Sequence, residues 1–259
     1  MSGAKSVYTG LLERARELVD FEKTLLDASM REAAPLASGE LVDIGCGDKP
    51  YEKLFAPFVT KYVGVEYDET YGTSDYARTN PKADVVYQGS RLPFDDASFD
   101  TVLSNQVGEH VPDPRAFFAE LVRVLRPGGC LIYTIPFSYR IHSEPHDYHR
   151  FTKYALVQYA EAVGLVVDRI KPRGGFWSVI GQKLTSHLAL RYGRLASDVQ
   201  SIGGFGYEQT VAQRPRYWVL PVLAPAIVGI AATTKILDRI DHDETDTIGY
   251  LLVARKGRS

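Results

Sequence analysis

From residue 40 onward the chain repeats one pattern: a short run rich in Val and Ile, then Gly, Asp or Pro, then a stretch with helical spacing. Short apolar runs of this kind suit strands buried on both faces, and strands alternating with helices wind a parallel sheet. The runs predict strands at 40–44, 61–65, 84–87, 99–104, 129–135, 165–170 and 247–254. The fold class expected is therefore α/β, with a doubly wound seven-stranded sheet. The clearest intervening helix is predicted over 114–125. Asp113 can cap its first N–H groups, Pro114 suits the first helical position, and Arg126-Pro127-Gly128-Gly129 stops it. Phe117, Phe118, Leu121, Val122 and Leu125 form its apolar stripe.

Two segments lie outside this repeat. Residues 1–38 read as an N-terminal helical cap, with Leu11, Leu12, Ala15, Leu18 and Val19 at helical spacing and an end near Pro35. Residues 39–171 form the core, 247–259 its final strand, and 172–246 an insertion much longer than an ordinary connection. The insertion is expected to be largely helical. Its run Tyr217–Thr234 carries no charge, and Pro221 and Pro225 are expected to break it into shorter pieces. Strands six and seven flank the insertion and join one sheet, so a single membrane crossing would leave the chain on the wrong side. A second crossing is opposed by Gln182, Lys183, Arg191, Arg194 and Asp198. The insertion is accordingly expected to serve as a lid, a homodimer surface, or a peripheral membrane contact flanked by Arg214, Arg216 and Lys235.

The formal charge of −2 and pI near 6.3 supply no global basic field, so nucleic acid is not an expected partner. Cys46 and Cys130 are too few for a disulfide framework and suit a reducing cytoplasm. The first residues, MSGAKSVYTGLLERAREL, are charged where a signal peptide needs an apolar run. The expected location is cytoplasmic, at most peripheral at the inner face of the membrane.

The segment LVDIGCGDKPYEKLF (41–55) is a strand, a glycine turn and a helix start, with Gly45 and Gly47 allowing a ligand close to the backbone. A dinucleotide site wants a third glycine where Pro50 stands, and Asp43 and Asp48 crowd the place of a pyrophosphate. A ligand bearing an ammonium group and no phosphate turns those acids into partners. About 20 residues on, KYVGVEYDE ends a second strand on Glu66, where an acid can accept both ribose hydroxyls.

These motifs, followed by RLPFDDASFDTVLSNQVGEHVPDPRAFFAELVRVLRPGGCLIYTIPF (91–137), resemble successive motifs of the class I S-adenosylmethionine-dependent methyltransferases. The resemblance is greatest to the group with an L-P-F-x-x-x-S-F-D segment and an E-H pair, and covers residues 40–170. It implies strand order 3-2-1-4-5-7-6 with the last strand antiparallel, and S-adenosyl-L-methionine as cofactor. Asp43, Gly45, Cys46 and Gly47 would hold its methionine end, Glu66 its ribose and Tyr67 its adenine face. Relatives often have an Asp after the third strand; here Gln88 takes its place, with the backbone of Gly89 as the alternative adenine contact. Ser104, Asn105 and Gln106 would lie beside the sulfonium arm.

Glu109-His110, just past the fourth strand, is the pair that the resemblance places near the departing methyl; a neighbouring carboxylate can raise the basicity of an imidazole. Alternatively the pair only shapes the loop before Asp113. The second cluster is HSEPHDYHRFT (142–152), leaving a central strand at the edge where ligands bind. His142, Glu144, His146, Asp147, His149 and Arg150 crowd it; His146, His149 and Asp147 join Glu109 and His110 as catalytic candidates, while Tyr148, Arg150, Phe151 and Thr152 suit a turn before a helix. No metal is expected, because neither a helix-face H-x-x-x-H nor a cysteine partner supports one. Similar P-H-D-Y-x-R-F-T stretches occur in methyltransferases among bacterial glycan enzymes, which implies O-methylation of a saccharide or glycoconjugate. A small natural product or lipid quinone as acceptor, and a non-catalytic binding protein for S-adenosylmethionine or S-adenosylhomocysteine, stay open.

Overall fold

The structure is a computed structural model that describes residues 19–67, 82–192 and 217–258. The helical positions Leu11, Leu12, Ala15 and Leu18, and the flanking Arg214 and Arg216, lie outside the described residues.

The elements in chain order are α1 (Phe21–Ala33), β1 (Glu40–Ile44), α2 (Glu52–Phe55), β2 (Lys61–Tyr67), β3 (Val85–Tyr87), β4 (Phe99–Asn105), α3 (Pro114–Val124), β5 (Leu125–Pro136), α4 (Lys153–Ala162), β6 (Leu165–Arg173), α5 (Phe176–His187), α6 (Leu220–Ile240) and β7 (Gly249–Lys256). The strands form one seven-stranded sheet in the order 3-2-1-4-5-7-6. β1 pairs in parallel with β2 and β4, β2 with β3 and β4 with β5, while β7 runs antiparallel to β5. This is the doubly wound sheet with an antiparallel last strand. Val42, Ile44, Val63, Val65, Val102, Leu131, Tyr133 and Leu252 stack with Phe117, Phe118 and Leu121 of α3 into its main core.

Local chemistry explains the element ends. Asp113 Oδ1 accepts from the N–H groups of Arg115 and Ala116, capping α3, and Thr152 Oγ1 accepts from Ala155 N–H at the start of α4. Arg126-Pro127-Gly128-Gly129 does not separate helix from strand as expected. β5 begins at Leu125, and the glycines lie inside it where its register with β4 slips. Gly128 has φ of 80°, and a Cβ on Gly129 would come within 2.9 Å of backbone oxygens, so the bulge requires glycine.

The described residues fall into two compact units, which differ from the linear boundaries expected at 38, 171 and 246. One comprises 29–67, 82–171 and 249–258, the sheet with its helices; the other comprises 19–28, 172–192 and 217–248. In the second unit α5 and α6 approach closely at Gly181, where a Cβ would come 2.3 Å from Thr234 Oγ1. Asp238 of α6 accepts from the N–H groups of Gly175 and Ser178 and so caps α5.

Pro221 and Pro225 do not break the apolar run: α6 continues for 21 residues. Both prolines lie in its first two turns. The N–H that Pro225 lacks would have bonded to the carbonyl of Pro221 at the helix start, so only one hydrogen bond is lost. Leu223, Ile227, Ala231 and Thr234 are buried, whereas Val222, Val228, Ile236 and Ile240 are exposed. By length and composition, Pro221–Ile240 is apolar enough to cross a membrane, and only 17% of its most apolar 18 residues are buried.

Candidate active site

The carboxyl end of β1 turns sharply through Gly45, with φ of 73°, and Gly47, with φ of 51°. The turn is pinned to β2, because the N–H groups of Gly45 and Cys46 both donate to the Val65 carbonyl. A Cβ at Gly45 would also come 2.4 Å from Val107 Cγ2. On β2, side chains alternate between faces, so Tyr62, Gly64 and Glu66 share the face toward this turn. The Tyr62 hydroxyl donates to Asp43 Oδ2 at 2.6 Å, and the bare Gly64 leaves space for Cys46 and Lys49. Glu66 Oε2 accepts from Gly47 N–H at 2.8 Å, and Oε1 from Tyr67 N–H at 3.2 Å. A carboxylate offers about four acceptor positions, so Glu66 keeps capacity for a diol.

Asp43 and Glu66 are both buried. Burial pushes the Asp43 carboxyl up to about 7; the Tyr62 hydrogen bond and Lys49 oppose this, and the charge of Glu66 adds to it. Burial raises the Glu66 carboxyl too, against the two N–H donors.

Beside them, Ser104 pairs with Ile44 across β1 and β4. Its Oγ is buried and has no hydrogen-bond partner among the described residues, a state that costs about 1–3 kcal/mol unless a ligand supplies one. Asn105 and Gln106 are fastened to β5: Thr134 Oγ1 donates to Asn105 Oδ1, and Gln106 donates through Nε2 to Thr134 Oγ1 and through its backbone N–H to the Thr134 carbonyl. Tyr67 meets Tyr87 edge to face at 5.4 Å. Gln88 and Gly89 are exposed past β3, and a Cβ on Gly89 would meet nothing within 4 Å. Two buried acids beside a tight glycine turn and an unsatisfied hydroxyl fit a cationic nucleoside such as S-adenosylmethionine.

Glu109 and His110 lie on a tight turn, Gly108–His110, after β4, and both are buried. Gly108 is glycine because a Cβ there would come 1.7 Å from the Tyr133 hydroxyl. The loop after β5 is laced to this turn. Tyr148 N–H and His149 N–H donate to the Glu109 carbonyl, and His110 Nδ1 contacts the His146 carbonyl at 2.6 Å. A carbonyl only accepts, so Nδ1 carries the proton, and the neutral ring presents the Nε2 lone pair 3.7 Å from Glu109 Oε1. The expectation that Glu109 raises the basicity of His110 is corrected: burial dominates and holds the imidazole down at about 4.

The loop histidines separate. His146 Nδ1 contacts the Tyr148 hydroxyl at 2.9 Å. His149 stacks on Phe151, with Nε2 3.4 Å from the Pro112 carbonyl. Asp147 receives two bonds from Arg150 and also the backbone N–H of His142. His142, absent from the catalytic candidates, is the histidine that reaches the pair, with Nε2 3.9 Å from Glu109 Oε1 and its ring edge to face with His110. The Asp147 carboxylate orients the His142 ring from 3.2 Å, and no sequence spacing marks that contact.

A seven-stranded sheet of this order, with an acid-flanked glycine turn after β1 and an acid closing β2, is the Rossmann-like methyltransferase fold. Residues 42–133 match the family described as "Methyltransferase domain". The chain is 38% identical over 104 residues to an uncharacterised methyltransferase of Mycobacterium marinum, covering 39% of this chain and 41% of that protein. It is 36% identical over 107 residues to a probable S-adenosylmethionine-dependent methyltransferase of Mycolicibacterium smegmatis, covering 41% of each. The chain thus spans about two fifths of the length of these relatives. An S-adenosylmethionine-dependent methyltransferase from Mesorhizobium loti shares the fold with a TM-score of 0.50 at 12% identity, over 88% of this chain and 96% of that one.

Proposed function

We propose that this protein is an S-adenosylmethionine-dependent methyltransferase that methylates a hydroxyl of a saccharide or glycoconjugate. The observation that carries the cofactor is the preformed pair Glu66–Gly47, a buried carboxylate accepting from the N–H of the glycine turn at 2.8 Å, with buried Asp43 beside it. When bound, the cofactor supplies an electrophilic methyl group on a sulfonium. Glu66 receives the ribose hydroxyls, ionised Asp43 faces the ammonium end, and Ser104 Oγ gains a partner. Glu109, His110 and His142 form the acceptor end, at the edge of the sheet where β4 and β5 finish.

A saccharide suits this end because its surroundings are polar: the 137–152 loop carries His142, His146, Tyr148 and Arg150, with the Asp147 side chain buried against Arg150. Holding one hydroxyl in line with the sulfonium supplies much of the acceleration in such a displacement. Calorimetry tests the cofactor: S-adenosylmethionine and its demethylated product give binding heat and NAD none, whereas tight NAD binding without adenosylmethionine heat overturns the reading. Labelled cofactor offered with sugars, lipid-linked glycans and phenols tests the acceptor, and label entering only phenols replaces the saccharide.

A further inference from the structure

Three electron-pair donors converge at the proposed acceptor end: a carboxylate oxygen of Glu109, a ring nitrogen of His110 and a ring nitrogen of His142, all within 4.8 Å of one another. The partners of the two imidazoles fix which nitrogen faces inward. His110 Nδ1 is held by the His146 carbonyl. His142 Nδ1 faces the Arg140 carbonyl at 3.3 Å and Asp147 Oδ2 at 3.2 Å, both acceptors. Each ring therefore keeps its hydrogen on Nδ1 and turns an Nε2 lone pair toward Glu109. A carbonyl or carboxylate behind each imidazole is the outer arrangement that orients metal-binding histidines and makes them better donors.

We propose that Glu109, His110 and His142 bind one divalent first-row transition cation of the zinc class. Two neutral imidazoles and one carboxylate form the ligand set of open catalytic zinc sites, which leave a coordination position for a water or substrate oxygen. Tetrahedral metal–ligand bonds of about 2.0–2.2 Å place ligand atoms roughly 3.3–3.6 Å apart. The separations of 3.7 and 3.9 Å are slightly wider, so small rotations of the side chains close them onto an ion. Neighbouring residues 109 and 110 come from one turn and His142 from another loop, which is why no motif spacing announces the set. The bonds from Tyr148 and His149 N–H to the Glu109 carbonyl hold the two segments together before any ion arrives. The role of the site rests on the methyltransferase reading: an acceptor hydroxyl in the open position releases its proton to solvent more readily, as metal-bound water does.

The test measures metal and is independent of methyl transfer. The full chain is stripped with a chelator, titrated with Zn²⁺ by calorimetry, and examined with Co²⁺ by absorption. One ion per chain is expected, with cobalt bands of low coordination number. His142→Ala and Glu109→Gln each weaken binding at least tenfold, as second-sphere losses already do. His242→Ala, a change to an exposed histidine, leaves binding intact. A parent chain that binds neither ion overturns the assignment, as does a folded His142→Ala variant that binds as the parent does. Adenosylmethionine binding without metal removes the cation site and leaves the methyltransferase reading; metal without adenosylmethionine binding does the reverse.

Discussion

Glu66 is the residue on which cofactor affinity should turn. Its two oxygens already accept from Gly47 and Tyr67 N–H groups, so the carboxylate needs no rearrangement to meet a ribose. Glu66→Ala removes charge-assisted hydrogen bonds, each worth about 1.5–3 kcal/mol. Affinity for S-adenosylmethionine should fall roughly ten- to a hundredfold, while the thermal midpoint stays near that of the parent or above it, because a desolvated acid is removed. Calorimetry with a melt of the same sample checks both, and unchanged affinity in a folded variant removes Glu66 from the site. Residues of this kind were legible in the sequence because an acid at a strand end needs only local spacing to be placed. His142 was not: its partner Glu109 is brought to it by hydrogen bonds between two loops, and no periodicity encodes them.

At the level of elements, the sheet was readable because seven apolar runs are nearly complete strands. Errors collected at their ends. β5 starts four residues before its expected position because Gly128 and Gly129 allow a bulge, and strand pairing outweighs their breaking tendency. The long α6 runs through both of its prolines for a related reason, since prolines at a helix start remove few hydrogen bonds. Its exposed side carries Val222, Val228, Ile236 and Ile240. An apolar surface of this kind on a helix marks a contact with another chain or with a membrane. The expected partner is a second copy of the chain, so light scattering without detergent should give twice the chain mass. Val222→Glu with Ile236→Glu should give the monomer. Flotation with anionic vesicles reads the alternative: a parent chain that scatters as a monomer and floats assigns this face to membrane instead.

For the molecule as a whole, a ligand-ready site works against the stability of the fold, and Asp43 makes that measurable. In the unfolded chain its carboxyl ionises near the ordinary value of 3.8, whereas in the folded protein burial moves it to about 7. Folding therefore favours the protonated acid. Between about pH 4 and pH 7 the unfolded state loses its proton first, so the Asp43 contribution to stability falls as pH rises and stays at its lower level above pH 7. The groups that set this shift are Tyr62, which donates to Asp43, Lys49, which favours its charge, and Glu66, which opposes it. Asp43→Asn keeps an oxygen for the Tyr62 hydroxyl and cannot ionise. It should match the parent near pH 4 and melt higher than the parent at pH 8, with the gap opening across that interval. The cofactor should see the opposite. Its ammonium group favours ionised Asp43, so binding to the parent below pH 7 should release a proton and strengthen as pH rises, whereas the variant should bind weakly and without that release. Melting curves from pH 4 to 8, and calorimetry in buffers of different ionisation enthalpy, measure both. Equal melting of parent and variant at every pH would place the ionised carboxylate in water, and the buried-acid account of this cofactor site would then be wrong.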